Sequence, residues 1–408
     1  MRLSRERKYA RLLVKRGVNL QKKQRLVIRA STEIAPFVEI LVREAYKAGA
    51  KSVEVDWANQ AVMKAHYRYC SVKNLSEFAN WQLEKLKYRA EELPAFLSLL
   101  SGDPDGMKGM DMDKLRRVRA NTYPIVKPFN DQMENRYQWC VAAVPGKKWA
   151  KKMFPDKTPA AAVRKLWDCI FETCLVNADN DPLEEWDRKN TDRAERCRLL
   201  NGYRFDYLEY KSSNGTDFRC KLMPKSNWCA GGESTLQGVF FNPNMPTEEV
   251  FTTPMKGQCD GRLVASMPLS YQGNLIEDFY IDFEDGKAVF WDARVGKEAL
   301  DSILNADQGS KMLGELALVP FDSPISNQRI LYYNTLFDEN ARCHVAVGNG
   351  YTSCVDGFEN LSKEEMKEMG VNESQVHVDF MIGTADLSIT GYKDGKATPV
   401  FRDGNWVI

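Results

Sequence analysis

The chain has 408 residues, of which 43% are hydrophobic, so it is long enough for two domains with substantial cores. Its 57 Lys and Arg residues against 56 Asp and Glu residues give a net charge of +1, which argues against a nucleic-acid or anionic-membrane partner. The ten cysteines form no Cys-x-x-Cys pair, so we expect reduced thiols in a cytoplasmic protein. From the charged N-terminus and the lack of long apolar runs we expect neither a signal peptide nor a membrane span.

The first third of the chain alternates strand and helix patterns. Residues 25–29 have the pattern of a strand, Ser31 can cap a helix that ends near Gly49, and residues 52–56 resemble a second strand. This βαβ unit predicts a parallel sheet with a right-handed crossover. The remaining elements predicted here are helices at 75–90 and 112–119 and strands at 95–100 and 137–144. No glycine-rich phosphate loop follows these strands, so the pattern predicts a fold and not nucleotide binding.

A polar stretch at 177–182, followed by a charged helical pattern at 183–200, marks the best domain boundary, near residue 185. We therefore predict an α/β domain at 1–185, with three layers and a mostly parallel sheet. A β-rich α+β domain at 186–408 is predicted to follow it. Its strands are predicted at 203–208, 218–223, 238–242, 261–266, 276–283 and 287–292, with a helix at 297–305.

The chain has three histidines, and two of them interrupt apolar, strand-like runs in the second domain. Within residues 375–383, the alternation of a strand places His377 and Asp379 on the same face. His344 interrupts a second run in the same way. A buried carboxylate is costly unless it is paired with a cation or a metal. His66 lies in an aromatic-rich helical pattern, where we expect a packing or surface role.

Carboxylates accompany these histidines. Glu339 precedes the run of His344, Glu315 heads another apolar strand, and Glu248 and Glu249 precede a third. Two imidazoles with three to five carboxylates suit Zn, Co or Mn, and are sufficient for two ions that share a carboxylate. Each residue alone also has an ordinary explanation, since a strand histidine can be part of the core and a glutamate can lie in a solvated turn or at a strand end.

Several motifs resemble those of the M29 metallopeptidases of the aminopeptidase T and aminopeptidase S/PepS type. The motifs are NMPTEEVFT at 244–252, LGE at 313–315, NARCH at 340–344, Tyr351, and VHVDFMIG at 376–383. The resemblance extends over nearly the whole chain. Arg342 and Gly350 depart from the family pattern. That pattern leads us to expect a small residue at position 342 and Ala at position 350. Carried over by motif, the implied metal ligands are Glu249, Glu315, His344, His377 and Asp379, with Glu339 as a sixth and Tyr351 as the catalytic tyrosine.

The resemblance implies a homodimeric metallo-aminopeptidase that releases N-terminal residues, with a leucine-type preference, from short peptides. Two divalent ions (Zn, Co or Mn) sharing Glu315 would lower the pKa of a water molecule toward neutrality. Tyr351 could donate a hydrogen bond to the tetrahedral oxyanion, and Glu248 or Glu339 could act as general base. A contact between one ion and the free α-amine of the substrate would explain exopeptidase behaviour.

Two other functions are compatible with these residues. The metal cluster could serve a hydrolase that acts on a non-peptide amide or ester, which would not require a free α-amine. The chain could also be a peptide-binding protein without activity, although every ligand position of the family is filled. The basic cluster at 147–152, with Trp149 within it, suggests single-stranded nucleic acid only weakly, and we expect a solvated helix face there.

Overall fold

A computed structural model describes residues 3–408. Its α-helices, in chain order, are α1 (Arg5–Leu12), α2 (Ala35–Lys47), α3 (Gln60–Tyr69), α4 (Val72–Ser76), α5 (Asn80–Glu92), α6 (Met112–Met133), α7 (Lys147–Met153), α8 (Pro159–Thr173), α9 (Pro182–Tyr203), α10 (Lys297–Leu304), α11 (Thr335–Asp338) and α12 (Lys363–Glu368). Across residues 3–408, no helix combines the length and the apolar character that crossing a membrane requires.

The strands, in chain order, are β1 (Arg25–Ser31), β2 (Ser52–Ala58), β3 (Ala95–Leu100), β4 (Trp139–Ala143), β5 (Tyr207–Lys211), β6 (Asp217–Leu222), β7 (Cys229–Ala230), β8 (Glu233–Ser234), β9 (Phe240–Phe241), β10 (Asn244–Met245), β11 (Val250–Thr252), β12 (Pro254–Val264), β13 (Leu269–Tyr271), β14 (Asn274–Glu284), β15 (Lys287–Val295), β16 (Leu313–Leu318), β17 (His344–Gly348), β18 (His377–Met381), β19 (Ser388–Lys393), β20 (Lys396–Arg402) and β21 (Asn405–Trp406).

Contacts divide the chain into two compact units. The first contains the chain up to Asp187 together with Gly232–Met245, and the second contains Arg188–Gly231 and Pro246–Ile408. The domain boundary near residue 185 stays a prediction. Residues Gly232–Met245 belong to the first unit although they lie within the predicted second domain. The sequence pattern predicted two domains that are each continuous in sequence.

The first unit contains a five-stranded sheet in the order β10-β4-β3-β1-β2, and every pair in it is parallel. Strands β1 and β3 are buried along most of their length, which is typical of a parallel sheet that is covered on both faces. The predicted α/β class and the βαβ unit at its start are therefore confirmed. The fifth strand, β10, was not predicted.

Three predicted elements of the chain differ from the structure. The helix predicted at 75–90 is two helices, α4 and α5. The helix predicted to end at 119 continues as α6 through Pro124 and Pro128, and its packing against α4 and α5 offsets the hydrogen bonds that the prolines remove. The strand predicted at 203–208 begins later, at Tyr207, because α9 extends to Tyr203.

The second unit contains two antiparallel sheets. The larger has nine strands, in the order β13-β14-β12-β6-β5-β19-β20-β21 with β15 beside β14. The smaller, called the site sheet below, has the order β18-β17-β16-β11-β7. Side chains of both sheets share one hydrophobic core, in which the rings of Phe279 on β14 and Phe380 on β18 lie 5.5 Å apart. The predicted β-rich second half is confirmed.

The two faces of the site sheet differ completely in character. Leu316, Leu318, Val345, Val347, Val378 and Phe380 belong to the hydrophobic core. Because side chains alternate along a strand, the intervening residues on the opposite face are Glu315, His344, Ala346, His377 and Asp379. A slip of one residue in any strand pairing would place charges in the core, so this pattern fixes the register.

We expect the apolar face to carry much of the stability of the second unit. Leu316 is fully buried, and Leu316→Ala should lower the free energy of unfolding by about 2–5 kcal/mol because it leaves a cavity. Urea unfolding would measure the loss. Val289→Ala, on exposed β15, is the control and should change the free energy by less than about 0.5 kcal/mol. Equal effects of the two substitutions would contradict this account of the core.

Candidate metal centre

The register of the site sheet places three predicted ligands side by side. Ala346 on β17 is paired with Glu315 on β16 and with Asp379 on β18, so the two carboxylates flank a methyl group. His377 lies two residues from Asp379 and is paired with Gly348. The residues of β17 between these polar side chains are small, Ala346 and Gly348.

The polar side chains form two groups that share one member. Donor atoms of Glu249, Glu315 and His344 lie within 4.8 Å of one another, and so do those of Glu315, His377 and Asp379. His377 Nε2 is 3.0 Å from Glu315 Oε2 and 3.3 Å from Asp379 Oδ1. His344 Nε2 is 3.5 Å from Glu249 Oε2. Glu315 therefore stands where a carboxylate could bridge two ions.

Backbone carbonyls orient both imidazoles. His344 Nδ1 is 3.1 Å from the carbonyl oxygen of Arg342, and His377 Nδ1 is 2.7 Å from that of Asn349. A carbonyl can only accept, so Nδ1 carries the proton and donates it. In both residues Nε2 is left facing the carboxylates, which is the usual arrangement of a histidine that ligates a metal.

The buried carboxylates perturb one another strongly. Burial raises the pKa of Glu315 from 4.5 to about 7, although His377 opposes the shift. Burial alone would lower the pKa of His344, but its contacts with Glu249 and Glu315 outweigh burial and raise it from 6.5 to about 10. Burial would likewise lower the pKa of His377, but its contacts with Asp379 and Glu315 together outweigh burial and raise it. The site therefore strongly favours positive charge.

Glu339 lies beside the cluster but outside both donor groups. It begins a short 3-10 helix, Glu339–Ala341, directly after α11. Burial, followed by the charges of Asp379 and Glu249, raises its pKa well above the ordinary value. Asn340 Nδ2 donates to Glu339 Oε1 over 3.4 Å. The structure thus brings Glu339 close enough to interact electrostatically with the predicted ligands.

The carboxylate of Glu248 belongs to neither donor group. Its carboxylate forms an ion pair with Lys189 of α9. Its backbone N–H donates to Asn340 Oδ1 over 2.7 Å. One turn along α9, the buried Arg193 donates to the carbonyl oxygen of Thr247 over 2.8 Å. Two cations and one amide therefore hold the segment that leads into Glu249.

Tyr351 follows β17 and faces the second donor group. Its hydroxyl is 3.2 Å from His377 Nε2, and its ring lies 4.9 Å from that of His377 and 5.4 Å from that of Phe251. Burial, followed by the negative charges of Glu315 and Asp379, raises the pKa of the phenol well above 10. The hydroxyl therefore keeps its proton and can donate a hydrogen bond.

Sequence reasoning did not identify Lys189, Arg193 or Asn340 as part of this site. The two basic residues are four apart on a charged helix, a spacing that indicates a shared face but not what the face meets. His66 is exposed on α3, in the first unit. Among the basic cluster, Lys152 pairs with Asp105 and Lys148 with Asp103.

The donor set fits divalent metal ions. Imidazole nitrogen and carboxylate oxygen are the ligands that Zn, Co and Mn take in proteins. Asp379 Oδ1 is buried and, apart from its 3.3 Å ionic contact with His377 Nε2, accepts no hydrogen bond among residues 3–408, so it can take a metal ion as a further partner. The fold and these side chains define a metal-dependent hydrolase.

Comparison with known proteins agrees with that class. The family described as Thermophilic metalloprotease (M29) matches residues 4–406, and the chain belongs to this family. It is 40% identical to Aminopeptidase AmpS of Bacillus subtilis (strain 168) over 402 residues, 98% of each chain. It is 39% identical to Aminopeptidase 2 of Geobacillus stearothermophilus over 403 residues, which cover 98% of this chain and 97% of the other.

Solved structures also resemble the fold. Wild-type AmpT from Thermus thermophilus aligns with a TM-score of 0.91 and 34% identity over 99% of each chain. A 2,5-dihydroxypyridine dioxygenase from Pseudomonas putida KT2440 aligns with a TM-score of 0.53 and 14% identity over 99% of this chain and 98% of the other, a likeness of fold alone. The predicted family, and the predicted class of metallo-aminopeptidase, are confirmed.

The raised pKa of His344 predicts how the metal-free protein responds to pH. The folded protein binds this proton more tightly than the unfolded chain, so the stabilisation is complete below pH 6.5 and is lost as the pH rises to about 10. Thermal unfolding of chelator-treated protein should therefore show a falling midpoint across this range. His344→Gln should flatten the fall, whereas the control His66→Gln should keep it. An unchanged slope in His344→Gln would refute the assignment.

Proposed function

We propose that the protein is an aminopeptidase that uses two divalent metal ions to release N-terminal residues from short peptides. The observation that carries the proposal is the pair of donor groups that share Glu315. A single structural ion would need one such group with all its positions filled. Two groups with a common carboxylate instead favour two ions acting on one substrate.

Five residues of this chain are proposed as ligands. One ion would be held by Glu249, His344 and Glu315, and the other by Glu315, His377 and Asp379. When bound, these ions would supply an activated water molecule and polarise the carbonyl of the scissile peptide bond. Zn, Co and Mn all suit a mixed set of imidazole and carboxylate donors.

Tyr351 is proposed to stabilise the charge that develops on the scissile carbonyl oxygen. Its hydroxyl lies beside the second donor group and keeps its proton, so it can donate to an oxyanion. Glu339 is proposed as the general base. Its carboxylate borders both groups without belonging to either, whereas the carboxylate of Glu248 is occupied by Lys189.

The charge and shape of the site support action at the N-terminus of a peptide. Four carboxylates, those of Glu249, Glu315, Glu339 and Asp379, surround two imidazoles, and such a site attracts a substrate that carries a free α-amine. Phe251, on the same face of the site sheet and in contact with Tyr351, offers an apolar surface. That surface supports a leucine-type preference for the first residue.

The proposal also includes a homodimer in the cytoplasm. None of the ten cysteines is joined to another in a disulfide bond, which supports a reducing compartment. Large aromatic side chains of the first unit are exposed, among them Trp57, Tyr69 and Trp81, and exposed aromatic surface is typical of a contact between subunits.

A pair of substrates tests the proposed reaction. We expect chelator-treated protein to be inactive, and protein reloaded with Co or Zn to cleave a leucyl dipeptide. The same protein should leave the N-acetylated dipeptide intact, because acetylation removes the charge and the lone pair of the α-amine. Initial rates of both reactions are the measurement, and untreated chain without added chelator is the reference.

Other results of that experiment lead to different functions. Cleavage of both dipeptides would indicate an endopeptidase or a broader amidase. Cleavage of neither, with metal shown to be bound, would favour a non-peptide substrate or a peptide-binding role.

Metal content tests the shared ligand. Glu315→Gln should lower the bound metal to less than one ion per chain, because both groups lose an anionic donor. Glu249→Gln and Asp379→Asn each affect one group, so each should retain about one ion. Elemental analysis after dialysis gives the stoichiometry. Equal loss of metal in all three variants would argue against a bridging role for Glu315.

A further inference from the structure

The side chain of Thr253 forms hydrogen bonds with both the backbone N–H and the backbone carbonyl of Tyr351. The hydroxyl oxygen of Thr253 accepts the backbone N–H of Tyr351 over 2.8 Å, and the hydroxyl donates to the backbone carbonyl of Tyr351 over 3.1 Å. Thr253 is fully buried. Because a hydroxyl can donate once and accept twice, it suits this double contact. Valine has the same shape but cannot form either hydrogen bond.

Thr253 is itself fixed to the site sheet. It follows β11 directly, and its neighbour Thr252 is paired with Leu316, the residue after Glu315. Thr252 is held further by a hydrogen bond of 3.0 Å from its hydroxyl to the carbonyl oxygen of Asn227. The contact with Thr253 therefore ties Tyr351 to the part of the sheet that carries Glu315.

The loop before Tyr351 passes very close to Thr253. A Cβ atom at Gly350 would lie 2.9 Å from Thr253 Cγ2 and 3.1 Å from Val371 Cγ1, so a larger residue does not fit without displacement. The backbone N–H of Gly350 donates to the carbonyl oxygen of Asn372 over 2.8 Å. This close approach explains the glycine at a position where the family pattern suggested Ala.

The side chain of Tyr351 is held less firmly than its main chain. The residue is 38% exposed, and the contact of its hydroxyl with His377 is a long 3.2 Å. The ring touches Phe251 and His377 on its inner side. The position of the hydroxyl in the site therefore depends on how the backbone of Tyr351 is held. Thr253 contributes two hydrogen bonds to that backbone, and the N–H of Cys354 contributes one, to the carbonyl oxygen over 3.2 Å.

We propose that Thr253 is a positioning residue that sets the location of the Tyr351 hydroxyl relative to the metal centre. The inference rests on the role proposed above for Tyr351. Thr253 is buried beneath the loop and acts through Tyr351, not on the substrate. A donor that stabilises a transition state must be placed to within a fraction of an ångström, so a loosened backbone should slow the chemical step more than it weakens substrate binding.

The kinetic test compares Thr253→Val with Thr253→Ser in the metal-loaded enzyme. We expect Thr253→Val to lower kcat roughly 10-fold to 100-fold, with KM changed by less than about 3-fold, because the hydrogen bonds are lost while the site keeps its ligands. Thr253→Ser keeps the hydroxyl and should recover most of the loss. Thr253→Ala is the second variant if Thr253→Val does not fold. Metal content should stay at the wild-type value in all three.

Hydrogen exchange provides a readout that does not depend on activity. The amide of Tyr351 is protected by its bond to Thr253, so it should exchange faster in Thr253→Val and at the wild-type rate in Thr253→Ser. The amide of Val345, within β17, is the internal reference and should not change. Unaltered protection of Tyr351 in Thr253→Val would overturn the inference, because the backbone would then be held by other contacts.

A double-mutant cycle with Tyr351→Phe separates the two proposals. If Thr253 acts through Tyr351, adding Thr253→Val to Tyr351→Phe should lower kcat by less than about 2-fold further. Full activity of Thr253→Val beside a slow Tyr351→Phe would overturn the positioning role alone. Full activity of Tyr351→Phe would overturn the proposed role of the tyrosine and with it the role of Thr253. Additive losses would show that Thr253 acts independently of Tyr351.

Discussion

Carboxylates crowded on one face of the site sheet are the constraint on which the second unit depends. Glu315 and Asp379 flank a single alanine, and burial together with their neighbours opposes negative charge on Glu315 and Glu339. Two imidazoles relieve part of this repulsion. The opposite face of the same strands is wholly apolar and belongs to the core, so the sheet cannot relax by turning over or by slipping its register. The arrangement favours any cation that reaches it.

The residues around the cluster hold its members by different means. Carbonyl oxygens fix the two histidine rings, Asn340 joins the backbone of Glu248 to the side chain of Glu339, and Arg193 and Lys189 hold the segment before Glu249. Such outer contacts are what keep ligands in place before a metal binds. The hydroxyl of Thr253 extends the same principle to the loop of Tyr351.

The sequence was sufficient for features that depend on short-range periodicity. Alternation placed His377 and Asp379 on one face, and the apolar runs around Glu315 and His344 identified their strands. The βαβ pattern identified the parallel sheet. The sequence was not sufficient for contacts that depend on tertiary packing. Examples are the hydrogen bond from Arg193 of α9 to Thr247 and the one between the backbone of Glu248 and the side chain of Asn340. Helix α6 passing through two prolines belongs to this group as well, since packing there overrides local preference.

Strand β10 affects the order in which the two units can fold during synthesis. The chain leaves the second unit after Gly231, contributes the fifth strand of the parallel sheet, and returns at Pro246, three residues before Glu249. During synthesis the first unit therefore stays one strand short until residue 245 has emerged from the ribosome. By then part of the second unit has been made but none of its strands that bear histidines. The parallel sheet can close before the strands that carry the proposed histidine ligands exist, so the last segment before Glu249 is already anchored when they arrive.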